Sequence, residues 1–130
     1  MTMEIYFPGN KRVYADFDGY TVATDQPVEA GGDGTAPAPF DLFVASIGTC
    51  AGIYALGFMQ QRGIDPSGAR LTLDREVDAE TRMVGRITID LKLPQGFPEQ
   101  YREAIVRAME LCAVKKHIQD PPVFAVTTSV

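Results

Sequence analysis

From Leu42 to Gln61 no residue carries a charge. A run of that length can form one long helix that is apolar on every side. Such a helix either crosses a membrane or lies at the centre of a folded core. Its apolar part, Leu42 to Met59, reaches the lower limit of about 18 residues for a membrane span. The run also holds Ser46, Gly48, Thr49, Gly52 and Gly57, follows Asp41, and has no flanking basic cluster to orient it, which opposes a membrane reading. The expectation is a central, fully buried helix from about Phe40 to Arg62, with Pro39 at or just before its start and Gly63 closing it. Gly48 and Gly52 lie four apart, near Ala45 and Ala55. That small-residue face lets a second helix approach closely, from this chain or from a partner subunit.

The segments around this helix alternate between strand and helix patterns. Met3 to Phe7, Lys11 to Phe17 and Tyr20 to Thr24 read as strands, with Asp18-Gly19 as a tight hairpin turn. Asp25 to Pro39 holds three glycines and three prolines and reads as a loop. Ala69 to Val77 and Val84 to Leu93 alternate as a second hairpin, with Leu71 and Leu73 on one side of the first and Ile87, Ile89, Leu91 and Leu93 on one face of the second. A second helix starts around Pro98 and places Tyr101, Ile105, Ala108 and Cys112 on its buried face, with a kink and restart around Cys112 as an alternative. Pro121-Pro122 ends it, and Phe124 to Val130 reads as a final strand. The order predicts a single α+β domain over residues 1–130, its helices against one face of an antiparallel sheet.

With 130 residues, a net charge of -5 and a pI near 4.7, the chain can bury a core but has the wrong sign for nucleic acid or an anionic membrane. Its N-terminus lacks the pattern of a signal peptide, so the expected compartment is the cytoplasm, where thiols are normally reduced.

Two cysteines, Cys50 and Cys112, and one histidine, His117, set narrow limits on chemistry. There is no CxxC motif, no four-ligand zinc pattern, no nucleophile elbow and no phosphate-binding glycine loop. Neither a metal nor another cofactor is expected. Two readings of the cysteines remain. They are inert core residues, as free cysteines often are. Or they face one pocket as a redox pair, which requires close approach and a nearby cation or helix N-terminus that favours the thiolate.

Three motifs carry a resemblance to a known family. They are G-x-x-P-x-P-F-D-L-F-V-A-S-I-G-T-C-A-G-I-Y from Gly34 to Tyr54, E-L-C-A-V-K-K-H-I from Glu110 to Ile118 with PP-x-F-x-V after it, and the looser G-x-x-V-x-T-D-Q-P from Gly19 to Pro27. The sequence resembles the OsmC/Ohr family, the osmotically inducible protein C and organic hydroperoxide resistance proteins. The resemblance implies an intertwined α+β homodimer, with antiparallel sheets wrapped around two long buried helices. It also implies a thiol-dependent peroxidase that acts on organic hydroperoxides and is recycled by a dithiol reductant. Cys50 would attack the peroxide and Cys112 would resolve the sulfenic acid as a disulfide.

The family also uses an N-terminal arginine, for which Arg12 is the candidate, and a glutamate just after a proline at the start of the central helix. Here Phe40 follows Pro39, and Asp41 comes one place later, turned by about 100° around the helix. Asp41 therefore serves the helix N-terminus rather than replacing the glutamate, and Phe40 is placed to line the pocket. Tyr54, one turn after Cys50, is a further candidate for the pocket, while Phe58 and Met59 are read as core. The departure at Phe40 keeps open a second reading, a small-molecule or thiol-binding dimer without significant peroxidase turnover.

Overall fold

The computed structural model describes all residues from Met1 to Val130. The chain is α+β, and its contacts group it into two compact units, Met1–Ala45 and Ser46–Val130.

In the first unit, β1 (Glu4–Gly9), β2 (Arg12–Phe17) and β3 (Tyr20–Thr24) form an antiparallel sheet in the order β1-β2-β3. The turn between β2 and β3 is Asp18-Gly19, at φ 47° and 82°. Both central residues are left-handed, the geometry of a tight hairpin turn whose twist matches that of the strands. Phe17 therefore pairs with Tyr20, and Val13 with Thr24.

The loop after β3 is organised by a carboxylate. Asp25 is fully buried and accepts hydrogen bonds from the Thr35 hydroxyl at 2.6 Å, the Thr35 N–H at 3.0 Å and the Gln26 N–H at 2.7 Å. Its own N–H donates to the Pro37 carbonyl at 3.2 Å. Donation by Thr35, from hydroxyl and backbone, holds the carboxyl at a pKa of about 2 against the opposing effect of burial. Gly32 crosses the same loop so closely that a Cβ there would meet the Gln26 carbonyl oxygen at 1.9 Å. Only glycine fits.

Helix α1 spans Pro39–Gln61. Pro39 opens it at a position where a missing N–H costs nothing. At its other end Gly63 takes φ 64°, and the Ile64 N–H reaches back to the Met59 carbonyl at 2.9 Å, the hydrogen bonding of a glycine-terminated helix. The helix reaches from the first unit into the second.

In the second unit, β4 (Arg70–Val77) and β5 (Val84–Lys92) form the expected hairpin, with Leu71 opposite Leu91 and Leu73 opposite Ile89. These four side chains share one face. Ala51, Ala55, Phe58 and Met59 of α1 pack with Ile105 and Met109, and Leu71, Ile89 and Leu91 cover them. Phe58 and Met59 are thus core residues, 7% and 3% exposed. Arg62 lies 3.6 Å over the Phe58 ring and donates to the Phe58 carbonyl at 3.3 Å. That contact seals the end of the core with a cation over an aromatic face.

Three expectations are corrected. First, α1 is not buried on every side within the single chain. By length and composition it could cross a membrane, yet the hairpin and the helix after it cover only one face. Ile53 is left 59% exposed. Second, the helix after Pro98 is not continuous. A 3₁₀ turn at Glu99–Tyr101 leads into α2 (Arg102–Met109), and α3 (Ala113–Gln119) follows a break. Cys112 stands at that break with φ -47° and ψ 126°, outside the helical region, so the kink-and-restart alternative holds. Third, Phe124 to Val130 forms no strand, and Phe124 and Val126 are 83% and 93% exposed. Strand-forming residues need the edge of another strand to pair with, and within the chain this segment has none.

Candidate active site

Cys50 stands near the middle of α1, next to the buried Ala51, and is itself partly open to solvent. Cys112 is buried, with 1% of its surface exposed. The fold brings the two together. The Cys112 thiol donates a hydrogen bond to the Cys50 sulfur, and the backbone N–H groups of Val114 and Ala113 point at the same atom. Those N–H groups belong to the first turn of α3, where they have no partner within the helix. The break at Cys112 creates this arrangement. It ends the α2 segment, turns the Cys112 side chain inward, and starts a new helix whose free donors face α1.

The consequence is an asymmetric pair. The Cys50 pKa is lowered, first by the Cys112 thiol and then by the Val114 N–H, against a smaller cost of burial. The Cys112 pKa is raised, first by burial and then by its hydrogen bond to Cys50. The hydrogen bonds favour the charged form of Cys50, and burial favours the neutral form of Cys112. Hydrogen bonds to the charged form and a helix N-terminus are the usual means of activating a cysteine. A partly exposed thiolate beside a protonated thiol can attack an electrophile and then close a disulfide. The reading of both cysteines as inert packing residues does not account for this geometry.

Each remaining candidate occupies a definite place. Arg12, on β2, pairs with Asp33 of the glycine-rich loop at 3.3 Å, within the first unit. Phe40 and Phe43 stack with ring centroids 5.6 Å apart, and both are substantially exposed. Asp41 lies in the first turn of α1, where its charge favours the helix N-terminus. Tyr54 is one turn beyond Cys50 and 36% exposed. No cluster of three His, Cys, Asp or Glu side chains is grouped to hold a metal ion.

Reasoning from sequence missed the backbone donors of Ala113 and Val114, which carry no side-chain signal. A helix restarting directly after Cys112 was the one clue available. It also missed Asp33 as the partner of Arg12.

A pocket of about 310 Å³ opens in the second unit beside this pair. Ile47 and Ala51 of α1, Ile87 and Ile89 of β5, and Cys112 contribute to its wall, and Cys50 does not.

Comparison with solved structures places the fold among known ones. A protein from Psychrobacter arcticus 273-4, described as a candidate osmotic stress induced and detoxification response protein, aligns with a TM-score of 0.76 at 23% identity, covering 89% of this chain and 86% of that one. The organic hydroperoxide resistance protein OsmC of Legionella pneumophila aligns at 0.57 and 21% identity, over 92% and 90% of the two chains. The organic hydroperoxide resistance protein OhrB of Bacillus subtilis aligns at 0.53 and 18%, over 93% of each. These likenesses are of fold. Comparison with curated proteins gives no match. The family model described as "OsmC-like protein" matches residues 32–127, a span that holds α1, the hairpin and both cysteines, and the chain belongs to the OsmC-like protein family.

Proposed function

We propose that this protein is a cysteine-based peroxidase that reduces organic hydroperoxides. The observation that carries the reading is the asymmetric pair, a lowered Cys50 receiving hydrogen bonds from a raised Cys112 and from the start of α3. Family membership and the names of the structural neighbours, two of them organic hydroperoxide resistance proteins, support a role in redox chemistry and peroxide detoxification.

The chemistry follows from the two protonation states. The Cys50 thiolate attacks the terminal oxygen of ROOH and the O–O bond breaks. The departing alkoxide takes a proton to give ROH, and Cys50 becomes a sulfenic acid. The Cys112 sulfur then attacks the Cys50 sulfur, the S–O bond breaks, and water leaves with the Cys112 proton. A dithiol returns two electrons to the disulfide. Arg12 is proposed, from the family resemblance, as the cation that favours the thiolate and polarises the peroxide. Its bond to Asp33 restricts its freedom to move.

The protein is also proposed to work as a cytoplasmic homodimer. The uncovered face of α1 supports this. A Cβ added at Gly52 meets nothing within 4 Å, so a large side chain has room within the single chain. Gly52→Leu is expected to leave the chain folded but shift it from dimer to monomer in sedimentation. A dimer unchanged by Gly52→Leu removes this helix face from the interface.

Phe40, at the place of the family glutamate, favours a second reading, a binding dimer with little turnover. One experiment decides between them. Thiols are counted on reduced protein before and after a few equivalents of an organic hydroperoxide, and any disulfide is mapped. Rapid loss of two thiols per chain into a Cys50–Cys112 bond is expected. Two thiols unchanged after minutes would overturn the peroxidase reading.

A further inference from the structure

Two sulfurs held in contact form a chelating dithiol as well as a redox pair. Cys50 and Cys112 are the only thiols of the chain, and the Cys112 thiol already donates to the Cys50 sulfur. We propose that the pair is a binding site for trivalent organoarsenicals, in which both sulfurs bond to one arsenic atom and its organic group lies in the pocket of about 310 Å³ beside Cys112. This function goes beyond the peroxidase reading and needs neither oxidant nor reductant.

Three observations carry it. The first is the number of donors. Thiolates select soft ions, and this site offers two sulfurs with no third ligand. No three His, Cys, Asp or Glu side chains are grouped, and His117 has its Nδ1 turned to the Ala113 carbonyl at 2.6 Å. A structural zinc ion takes four donors, and inorganic arsenite has three oxygens to exchange. An organoarsenical, R–As(OH)2, has two, because carbon fills the third position. The second is the bite. Both residues lie in the second unit with their sulfurs in hydrogen-bond contact. The second As–S bond therefore closes in a site already assembled, at high effective concentration. The third is the surroundings. Cys50 is partly open and can receive the first bond, whereas Cys112 is 1% exposed and shields the second from water. Ile47, Ile87, Ile89 and Val106 give the pocket an aliphatic wall on the Cys112 side, and Glu110 and Lys115 add one charge of each sign. A neutral apolar group suits that wall. Arsenite would keep one hydroxyl, which gains nothing from aliphatic neighbours.

The step is a ligand exchange without electron transfer. The Cys50 sulfur bonds to arsenic and one As–O bond breaks; the hydroxide leaves with the Cys50 proton as water. The Cys112 sulfur then displaces the second hydroxide, which takes the Cys112 proton and leaves as a second water. Two As–S bonds replace two As–O bonds, and arsenic stays trivalent.

The probe is phenylarsine oxide, added in small excess to reduced full-length protein in the absence of peroxide. Intact mass is measured, and any remaining thiols are alkylated and mapped. One phenylarsenic per chain with both cysteines protected is expected, reversed by excess 1,2-ethanedithiol. No adduct, or an adduct that leaves one thiol free to alkylate, overturns the proposal. Cys50→Ser and Cys112→Ser should each bind at least about 100-fold more weakly, because the second bond is lost. Undiminished binding in either variant overturns the proposal as well. The pocket is tested with methylarsonous acid and arsenite, each affinity divided by that arsenical's affinity for dithiothreitol. A preference of about tenfold for phenyl over methyl is expected from the apolar area that the ring buries, with arsenite the weakest. Val106→Ser, at an exposed position of α2, should shrink the preference for phenyl. Equal normalised affinities for all three in the wild type overturn the placement of the organic group. An adduct on a protein whose thiols ignore peroxide sinks the peroxidase reading alone. A disulfide formed by peroxide in a protein that takes up no phenylarsine oxide sinks this inference alone.

Discussion

Asp25 and Cys50 are two acidic groups whose charged forms are favoured by the same device in opposite surroundings. Around Asp25 the donors are the Thr35 hydroxyl and N–H with the Gln26 N–H, and the group is sealed from solvent. Around Cys50 they are the Cys112 thiol and the N–H groups of Val114 and Ala113, and the sulfur stays partly open. Both pKa values fall because the donors favour the charged form over the neutral one. The carboxylate has no redox chemistry and no access, so its charge ties the loop to β3. The thiolate has access, and one of its donors is a second sulfur that can bond to it. Lowering a pKa is therefore not in itself a sign of function. Exposure and the chemical nature of the donor separate the reactive anion from the structural one.

The largest expected effect falls on the reactive side of this comparison. Cys50→Ser removes the attacking sulfur, and hydroperoxide consumption should fall by on the order of 10³-fold or more. Retained consumption would make the geometry at Cys50 incidental.

On the structural side, Gly32→Ala should destabilise the protein by about 3 kcal/mol. The new Cβ would lie 1.9 Å from the Gln26 oxygen, and the loop around Asp25 must shift to admit it. Urea unfolding measures this, and an unchanged midpoint would show that the loop contributes little.

Acid distinguishes the two sites further. The folded pKa of Asp25 is about 2, below the unfolded value of about 3.9. Its contribution is therefore fully present above the unfolded value and lost as pH falls through the folded one. Stability should decline between about pH 4 and pH 2, and Asp25→Asn should be less stable near neutrality with a flatter profile across that interval. A variant as pH-sensitive as the wild type there would assign the acid transition to other carboxylates.

The smallest effect is the most specific. In Cys112→Ala the Cys50 thiolate loses its first donor, so its titration, followed by ultraviolet absorbance, should move up in pH. Cys112→Ser keeps an O–H donor and should move it less. Equal titrations in wild type and Cys112→Ala would mean that the backbone of α3 alone holds the thiolate.

Much of the fold was legible in the sequence. Asp18-Gly19 specifies its own turn, Gly63 its own helix end, and the alternation of Leu71, Leu73, Ile89 and Leu91 a one-faced hairpin. Each is a local rule satisfied within a few residues. The C-terminal segment shows where such rules stop. Phe124 to Val130 has strand-like composition, but a strand is a pairing, and no edge within the chain receives it. The charge-free run was legible as a helix, while the side it leaves uncovered was not, because burial depends on what packs against it.

For the site, the sequence by itself determined which atoms are available: two sulfurs, one on a long apolar helix and one before a short basic one, in motifs that resemble those of OsmC-like proteins. Only the tertiary structure decided which sulfur becomes the anion. That choice depends on where the free N–H groups of α3 point and on how deeply each sulfur is buried. Both are set by the break at Cys112 and the packing of its helix segments against α1, contacts between residues far apart in the chain that no local pattern encodes.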